Sequence, residues 1–284
     1  MKSRNAIQIA VLVSLFSLSA IPETEPKKLG IVRPAFSQME DGEPSAADET
    51  FVPGETLHFR CLIEGYKRGV KDAILLTYEV EARDSNGNLL QEVQKGKVES
   101  NLSEEDKDWM PKIRESIVVP PLADSGQYQV IVKVKDGLAN TSAEGHATFL
   151  VKGRDVAPSD TLVVRNFRFL RSEDDAKPLA VAAYRPGDAL WARFDMTGYK
   201  LGEGNQFDIG YGLTVLRPDG SVAYAEPHAA ANKEQTFYPQ RYQPGVLSLN
   251  FPKDQKPGEY TIVLSVNDNL GKQTYEEREK FTVE

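Results

Sequence analysis

The chain has 284 residues, of which 40% are hydrophobic and 27% are charged, and its formal net charge is −8. The apolar content is enough for packed cores and excludes a disordered chain. The acidic balance argues against a nucleic-acid binder, which would carry a basic patch or stripe. Because sandwich domains contain about 100 residues each, two domains are the natural expectation for this length.

The first twenty residues have the pattern of a secretory signal peptide. Lys2 and Arg4 precede an apolar run over residues 6–18, and small residues follow it. The run is shorter than the roughly 20 residues that span a bilayer, and an uncleaved anchor is the alternative. We therefore predict a signal peptide over 1–20, a flexible lead over 21–30 and no membrane span in the mature chain. The predicted location is periplasmic, secreted or at the cell surface.

An internal repeat at an almost constant offset is the strongest signal in the sequence. The segment 51–57 reads FVPGETL and the segment 184–190 reads YRPGDAL, and each is followed by a Gly-Tyr-Lys triplet. Farther along, Gly126-Gln127-Tyr128 is matched by Gly258-Glu259-Tyr260. Turn and strand-start residues that match at this spacing indicate one folding unit that is used twice.

The repeat and the composition between its copies predict the domain organisation. The stretch 153–160 is polar and contains both Gly and Pro, as is typical of a linker. We predict a first β-sandwich domain over 31–152, a linker over 153–160 and a second β-sandwich domain over 161–284.

Period-two alternation of apolar residues predicts strands in both units. The inward residues of one strand in the first unit are Leu57, Phe59, Cys61 and Ile63. In the matching strand of the second unit the inward residues are Leu190, Ala192, Phe194 and Met196, and the outward residues are Trp191, Arg193 and Asp195. Long helical periodicity is nearly absent. The predicted fold class is therefore all-β, with two tandem immunoglobulin-like sandwiches, and Cys61 is predicted to be an inert, buried thiol.

Two stretches resemble known families of sandwich domains. The sequence from Asp124 to Tyr128, DSGQY, resembles the tyrosine corner of immunoglobulin-superfamily domains, in which the tyrosine hydroxyl bonds back to the backbone. Val130 stands where the second cysteine of that family would come, so the family's disulfide is missing. The YRPGD sequence at 184–188 resembles the strand entry of bacterial immunoglobulin-like and macroglobulin-like (MG2-type) domains. The resemblance implies the fold and says little about function.

No motif for catalysis is present in the sequence. His58, His146 and His228 share no short spacing, and there is no H-E-x-x-H, no nucleophile elbow and no phosphate-binding loop. Acidic runs such as Glu104-Glu105-Asp106 favour solvated loops over Ca²⁺ sites, and Asp136 and Asp268 recur beside turns, where aspartate commonly bonds the backbone. We predict no enzyme activity, no catalytic residues, no metal site and no cofactor.

The candidate binding residues all lie in the second unit. Trp191 and Arg193 are an outward aromatic–arginine pair of the kind that anchors interfaces, and the ring-rich segment 237–242 adds Tyr238, Arg241 and Tyr242. The alternative is that these rings cover the outer face of the sheet or pack against the first domain.

Two functions are consistent with these residues. The favoured hypothesis is a protein-binding or scaffold module whose partner is another envelope or secreted protein. The alternative is a carbohydrate-binding module of the cell envelope, in which the exposed aromatics of the second domain stack on a polysaccharide. A nucleic-acid partner is not expected.

Overall fold

The computed structural model of the protein describes residues 27–106 and 108–284. The predicted signal peptide over 1–20 and residues 21–26 of the predicted lead lie outside the described residues. Regular structure in the described ranges consists of β-strands and of short 3-10 turns at Val70–Asp72, Glu104–Asp106 and Glu203–Asn205. The predicted all-β fold class is confirmed.

The first unit is a sandwich of a three-stranded and a five-stranded sheet. Its strands are β1 (Gly30–Ser37), β2 (Thr50–Phe51), β3 (Thr56–Glu64), β4 (Ala73–Arg83), β5 (Gln94–Asn101), β6 (Lys112–Val118), β7 (Gly126–Asp136) and β8 (Thr141–Val151). The sheet orders are β1-β3-β6 and β2-β8-β7-β4-β5. The short β2 is parallel to β8, whereas the other paired strands are antiparallel.

The second unit repeats this arrangement strand for strand. Its strands are β9 (Val163–Leu170), β10 (Ala183–Tyr184), β11 (Ala189–Thr197), β12 (Gln206–Leu216), β13 (Val222–Gln235), β14 (Tyr242–Asn250), β15 (Gly258–Asp268) and β16 (Gln273–Val283). The sheet orders are β14-β11-β9 and β10-β16-β15-β12-β13. The duplicated segments therefore occupy equivalent places in two tandem immunoglobulin-like sandwiches.

The turn before β3 and before β11 follows from its Pro-Gly sequence. Gly54 has a φ of 87° and Gly187 has a φ of 90°, a region in which a residue with a side chain is strained. After each turn the strand alternates, and its inward side chains enter the core between the two sheets. Cys61 is 1% exposed in the first core, and Phe194 is fully buried at the matching place in the second.

Each unit has a tyrosine corner. The Tyr128 hydroxyl donates to the carbonyl of Asp124 at 2.9 Å, and the Tyr260 hydroxyl donates to the carbonyl of Lys256 at 2.8 Å. In both cases the carbonyl lies four residues upstream, so the corner holds the loop against the start of the strand.

A buried aspartate connects two loops at the same end of each unit. In the first, Asp136 Oδ1 accepts the backbone N–H groups of Leu138 and Ala139, and Oδ2 accepts that of Lys67 at 2.7 Å. In the second, Asp268 accepts the N–H groups of Leu270, Gly271 and Lys200. As expected from the sequence, these carboxylates accept hydrogen bonds from backbone N–H groups.

One carboxylate points into the first core. Glu115 takes the inward register of β6 between Ile113 and Ile117, and it pairs with Phe59 of β3. The matching position of the second unit, opposite Ala192, is Leu247. Burial raises the pKa of Glu115. Because β6 is the edge of its sheet, an inward charge discourages another strand from pairing there and lowers stability in return.

Replacing Glu115 with leucine is expected to raise the melting temperature by several degrees at pH 7, and by less near pH 4. A raised folded-state pKa means that the wild-type chain is penalised as the pH rises from the unfolded value of the glutamate through its folded value. Below the unfolded value the carboxyl is neutral in both states, so this penalty vanishes. Calorimetry of both chains at the two pH values measures the difference. An equal gain at both would contradict a charge-based penalty.

Candidate functional site

Tyr238 belongs to the second unit but lies in the core of the first. It sits in the loop between β13 and β14, is 6% exposed and packs among the buried residues of the first sandwich. Its hydroxyl donates to Asp84 Oδ2 at 2.9 Å and lies 3.4 Å from the hydroxyl of Tyr128, the corner tyrosine. We call this contact between the two units the Tyr238 joint.

The acceptor of the Tyr238 joint is held in place by its own turn. Asp84 Oδ1 accepts the backbone N–H groups of Asn86 and Asn88, and Oδ2 also accepts the side-chain amide of Asn88. Burial, followed by the hydrogen bond with Tyr128, raises the pKa of Tyr238. The ring therefore keeps its proton and its donor role, and the joint connects the two sandwiches through a buried side chain.

A second contact anchors the linker to the second unit. Arg154 Nη1 lies 2.9 Å from Asp195 Oδ1, and Asn166 Nδ2 donates both to Asp195 Oδ2 and to the carbonyl of Asp155. Asp195 is on the outer face of β11, as the alternation predicts, but it is fully buried beneath this contact. Burial raises the pKa of Asp195, although the Asn166 bond and the Arg154 guanidinium both act to lower it.

A cleft of about 310 Å³ lies between the units beside the Tyr238 joint. Two of the predicted binding residues line it. Tyr242 is 3% exposed, and Arg241 is exposed with its Nε 3.8 Å from Asp124 Oδ2 of the first unit. Thr197, at the end of β11, donates to the carbonyl of Arg241 and holds the loop in place. The residues 238, 241 and 242 are thus brought together at the contact between the units.

The other two predicted residues lie on a different surface, the outer face of the three-stranded sheet of the second unit. Trp191 and Arg193 are both half-buried near the start of β11, and Arg193 Nη2 donates to the carbonyl of Glu173. Trp191 lies between Leu170 and Ser248, and Arg193 lies between Arg168 and Val246.

This outer face is cationic as well as aromatic. Burial, together with the nearby charge of Arg154, lowers the pKa of Arg168. Val246, beside Arg193, is 38% exposed. We call the surface formed by Trp191, Arg193, Arg168 and Val246 the Trp191 face. It joins a large ring, two guanidiniums and an aliphatic side chain, the composition that carries binding energy in protein interfaces.

Sequence reasoning missed the residues that receive Tyr238. Nothing in the pattern around Asp84 or Tyr128 distinguishes them from ordinary turn and corner residues. The available signal was the cluster of rings at 237–242, for which packing against the first domain was one of the two interpretations. Trp109, 40% exposed in the loop before β6, was also missed because a loop has no alternation to assign its direction.

Among the described residues, neither the His58–Ser116 pair nor the thiol of Cys61 forms a reaction centre. His58 Nδ1 lies 3.0 Å from Ser116 Oγ, but the two are cross-strand neighbours on β3 and β6, and the strand pairing accounts for that distance. Burial raises the pKa of Cys61 to about 12, so its thiol is not a nucleophile at neutral pH. Across 27–106 and 108–284, no group of three or more His, Cys, Asp or Glu is placed to hold a metal ion. In the same ranges no helix is long and apolar enough to cross a membrane.

No protein-family model matches the chain, and no curated protein matches it. Among solved structures it is similar to the C-terminal domain of the AgI/II polypeptide BspA of Streptococcus agalactiae, with 11% identity and a TM-score of 0.28 over 88% of this chain and 99% of that one. It is also similar to the C-terminal domain of the antigen I/II-family protein AspA of Streptococcus pyogenes, with 10% identity and a TM-score of 0.29 over 89% of this chain and 99% of that one. A family 123 glycoside hydrolase of Clostridium perfringens is similar with 15% identity and a TM-score of 0.29 over 44% of this chain and 27% of that one. Likenesses at this level assign neither a family nor a function.

Proposed function

We propose that the chain is an exported, non-catalytic protein-binding module in which the Trp191 face contacts another envelope or secreted protein. The observation that carries the proposal is the juxtaposition of half-buried Trp191 with Arg193 and Arg168 on one sheet face. Tryptophan and arginine are the residues that most often dominate binding energy, and a flat sheet face suits a protein surface. The Tyr238 joint supports the scaffold role, since it keeps that face in a fixed orientation relative to the first unit.

A protein partner is favoured over a polysaccharide because of where the aromatic rings lie. Stacking on sugars needs exposed ring faces, and Tyr238 and Tyr242 are 6% and 3% exposed. Of the three rings on which the carbohydrate alternative relied, only Trp191 remains accessible, and guanidiniums flank it.

Export and membership of the macroglobulin-like class of sandwich domains are part of the same proposal. The charged start and apolar run of the first twenty residues support export. The repeated Pro-Gly strand entries support that class, and the paired tyrosine corners support the wider immunoglobulin-like fold.

Replacing Trp191 with alanine is expected to reduce capture of the protein partner about tenfold or more, as for a buried aromatic anchor. The full chain, immobilised, is incubated with envelope and culture-fluid extracts of the source cells, and the bands retained by each variant are quantified. Tyr224→Ala is the matched control, because Tyr224 is an aromatic residue of the same unit that is 47% exposed on β13.

Unchanged capture by Trp191→Ala, or equal loss with Tyr224→Ala, would reject the Trp191 face. Unchanged melting temperatures show that both variants remain folded. A polysaccharide gel shift that only Trp191→Ala abolishes would replace the protein partner with the carbohydrate alternative.

A further inference from the structure

The two units carry the same construction at the end where β3 and β11 finish. In the first unit the Tyr66 hydroxyl donates to the carbonyl of Trp109 at 2.6 Å. In the second the Tyr199 hydroxyl donates to the carbonyl of Gln240 at 2.5 Å. The buried aspartates Asp136 and Asp268 also hold matching loops at these ends. We call the end of each unit that carries these contacts its leading end.

The leading end of the second unit is an interface within this chain. Its 236–241 loop inserts Tyr238 into the first unit and places Arg241 near Asp124. The surface that receives it offers two carboxylates, Asp84 to the tyrosine hydroxyl and Asp124 to the guanidinium. The leading end of the second unit therefore already meets two carboxylates of the first unit.

The leading end of the first unit carries a groove whose described lining residues all belong to that unit. The groove has a volume of about 1040 Å³, with Trp109 40% exposed at its wall. Four cationic residues line the groove against two acidic ones: Lys27, Lys28, Lys67 and Arg68 against Glu64 and Asp108. Lys27 pairs with Glu64 at 3.1 Å, while the chain as a whole carries a charge of −8. Because the charge of Arg68 also acts on Asp106, the positive character of the groove depends mainly on Lys28 and Lys67.

We propose that this groove, the leading-end groove, binds an acidic segment of a partner protein. Lys28 and Lys67 would face its carboxylates, and Trp109 and Tyr66 would give it apolar contact area. A carboxylate-bearing partner also matches the groups, Asp84 and Asp124, that the second unit meets at its own leading end. Because the net charge of the chain is negative, an acidic segment would be repelled from most of the surface, and attraction would be limited to cationic patches such as this groove. The surface is separate from the Trp191 face, so either proposal can fail alone.

The test uses the full chain and a fluorescein-labelled decapeptide of alternating aspartate and alanine, followed by fluorescence anisotropy at about 0.03 M salt, where screening is weak. The wild-type chain is expected to bind this peptide and not the matching asparagine–alanine decapeptide. The double variant Lys28→Glu/Lys67→Glu is expected to weaken binding about tenfold or more, and Trp109→Ala about threefold. The control Lys253→Glu/Lys256→Glu makes the same charge change on exposed residues at the far end of the second unit, and it should change binding less than about twofold.

Three results would overturn the proposal. One is the absence of aspartate-dependent binding by the wild-type chain. Another is equal weakening by the two double variants, which would reduce the effect to net charge. The third is binding to vesicles of equal phosphatidylglycerol and phosphatidylcholine with no binding to the peptide, which would assign the groove to a membrane surface. All substituted lysines are exposed, and an unchanged melting temperature confirms that each variant is folded.

Discussion

Replacing Tyr238 with alanine is expected to uncouple the two sandwiches, so that a calorimetric trace with one transition becomes a trace with two. The substitution removes a buried ring from the first core and the hydrogen bond to Asp84, and truncations of large buried aromatics cost about 3–5 kcal/mol. The first unit should therefore melt earlier and lose the support of its neighbour. Small-angle scattering should show a wider distribution of particle dimensions, because the linker and the partly exposed Arg241–Asp124 pair would hold the units less firmly.

The neighbouring ring provides a matched control. Phe237 lies in the same loop but is 53% exposed, so Phe237→Ala should leave the single transition in place. Tyr238→Phe keeps the ring and deletes only the hydroxyl, and it should cost about 1–2 kcal/mol. If Tyr238→Ala and Phe237→Ala gave the same trace, the ring would not be what joins the units.

The second large effect is expected from the buried aspartates. Asp268→Ala should destabilise the second unit by about 4 kcal/mol, because the backbone N–H groups of Lys200, Leu270 and Gly271 all lose a charged acceptor inside the protein. Asp136→Ala should do the same to the first unit. Urea unfolding, with one tryptophan in each unit as the fluorescence probe, measures where the damage falls.

The two aspartate substitutions, one in each unit of the same chain, serve as controls for each other. Each substitution should lower mainly the midpoint of its own unit, and Asp254→Ala, in an exposed loop, should shift neither midpoint by much. Asp268→Asn keeps one acceptor oxygen but turns an amide toward a donor, so it should fall between the wild-type chain and the alanine variant. Little change from Asp268→Ala would show that solvent can satisfy these N–H groups.

The fold could be predicted because its information is local. The alternation around Cys61 and Phe194 identifies two matching inward faces, and the Pro-Gly pairs mark the turns that begin β3 and β11. The repeat supplies each feature twice, which makes a chance pattern improbable. The corner at Tyr128 needs only a carbonyl four residues away. None of these inferences depends on how the two units meet.

The candidate site could be predicted only in part because it depends on contacts between distant residues. Tyr238 and Asp84 are 154 positions apart, and no periodicity relates them. Alternation correctly places Asp195 on the outer face of β11, but its burial depends on Arg154 of the linker, which the strand pattern does not contain. The outward placement of Trp191 and Arg193 could be predicted because their strand alternates regularly, whereas Trp109 lies in a loop whose direction a sequence does not specify.

The insertion of Tyr238 also decides where the protein can be divided. A cut in the strand-free stretch between Val151 and Val163 would separate two complete sets of strands, yet it would leave the first set with an empty socket among its apolar side chains. Asp84 and the Tyr128 hydroxyl, now shielded by the ring, would meet solvent at the mouth of that socket. The two separated units would thus be affected unequally. The second would lose the residues that cover its Tyr238 loop, whereas the first would lose a side chain from its own core.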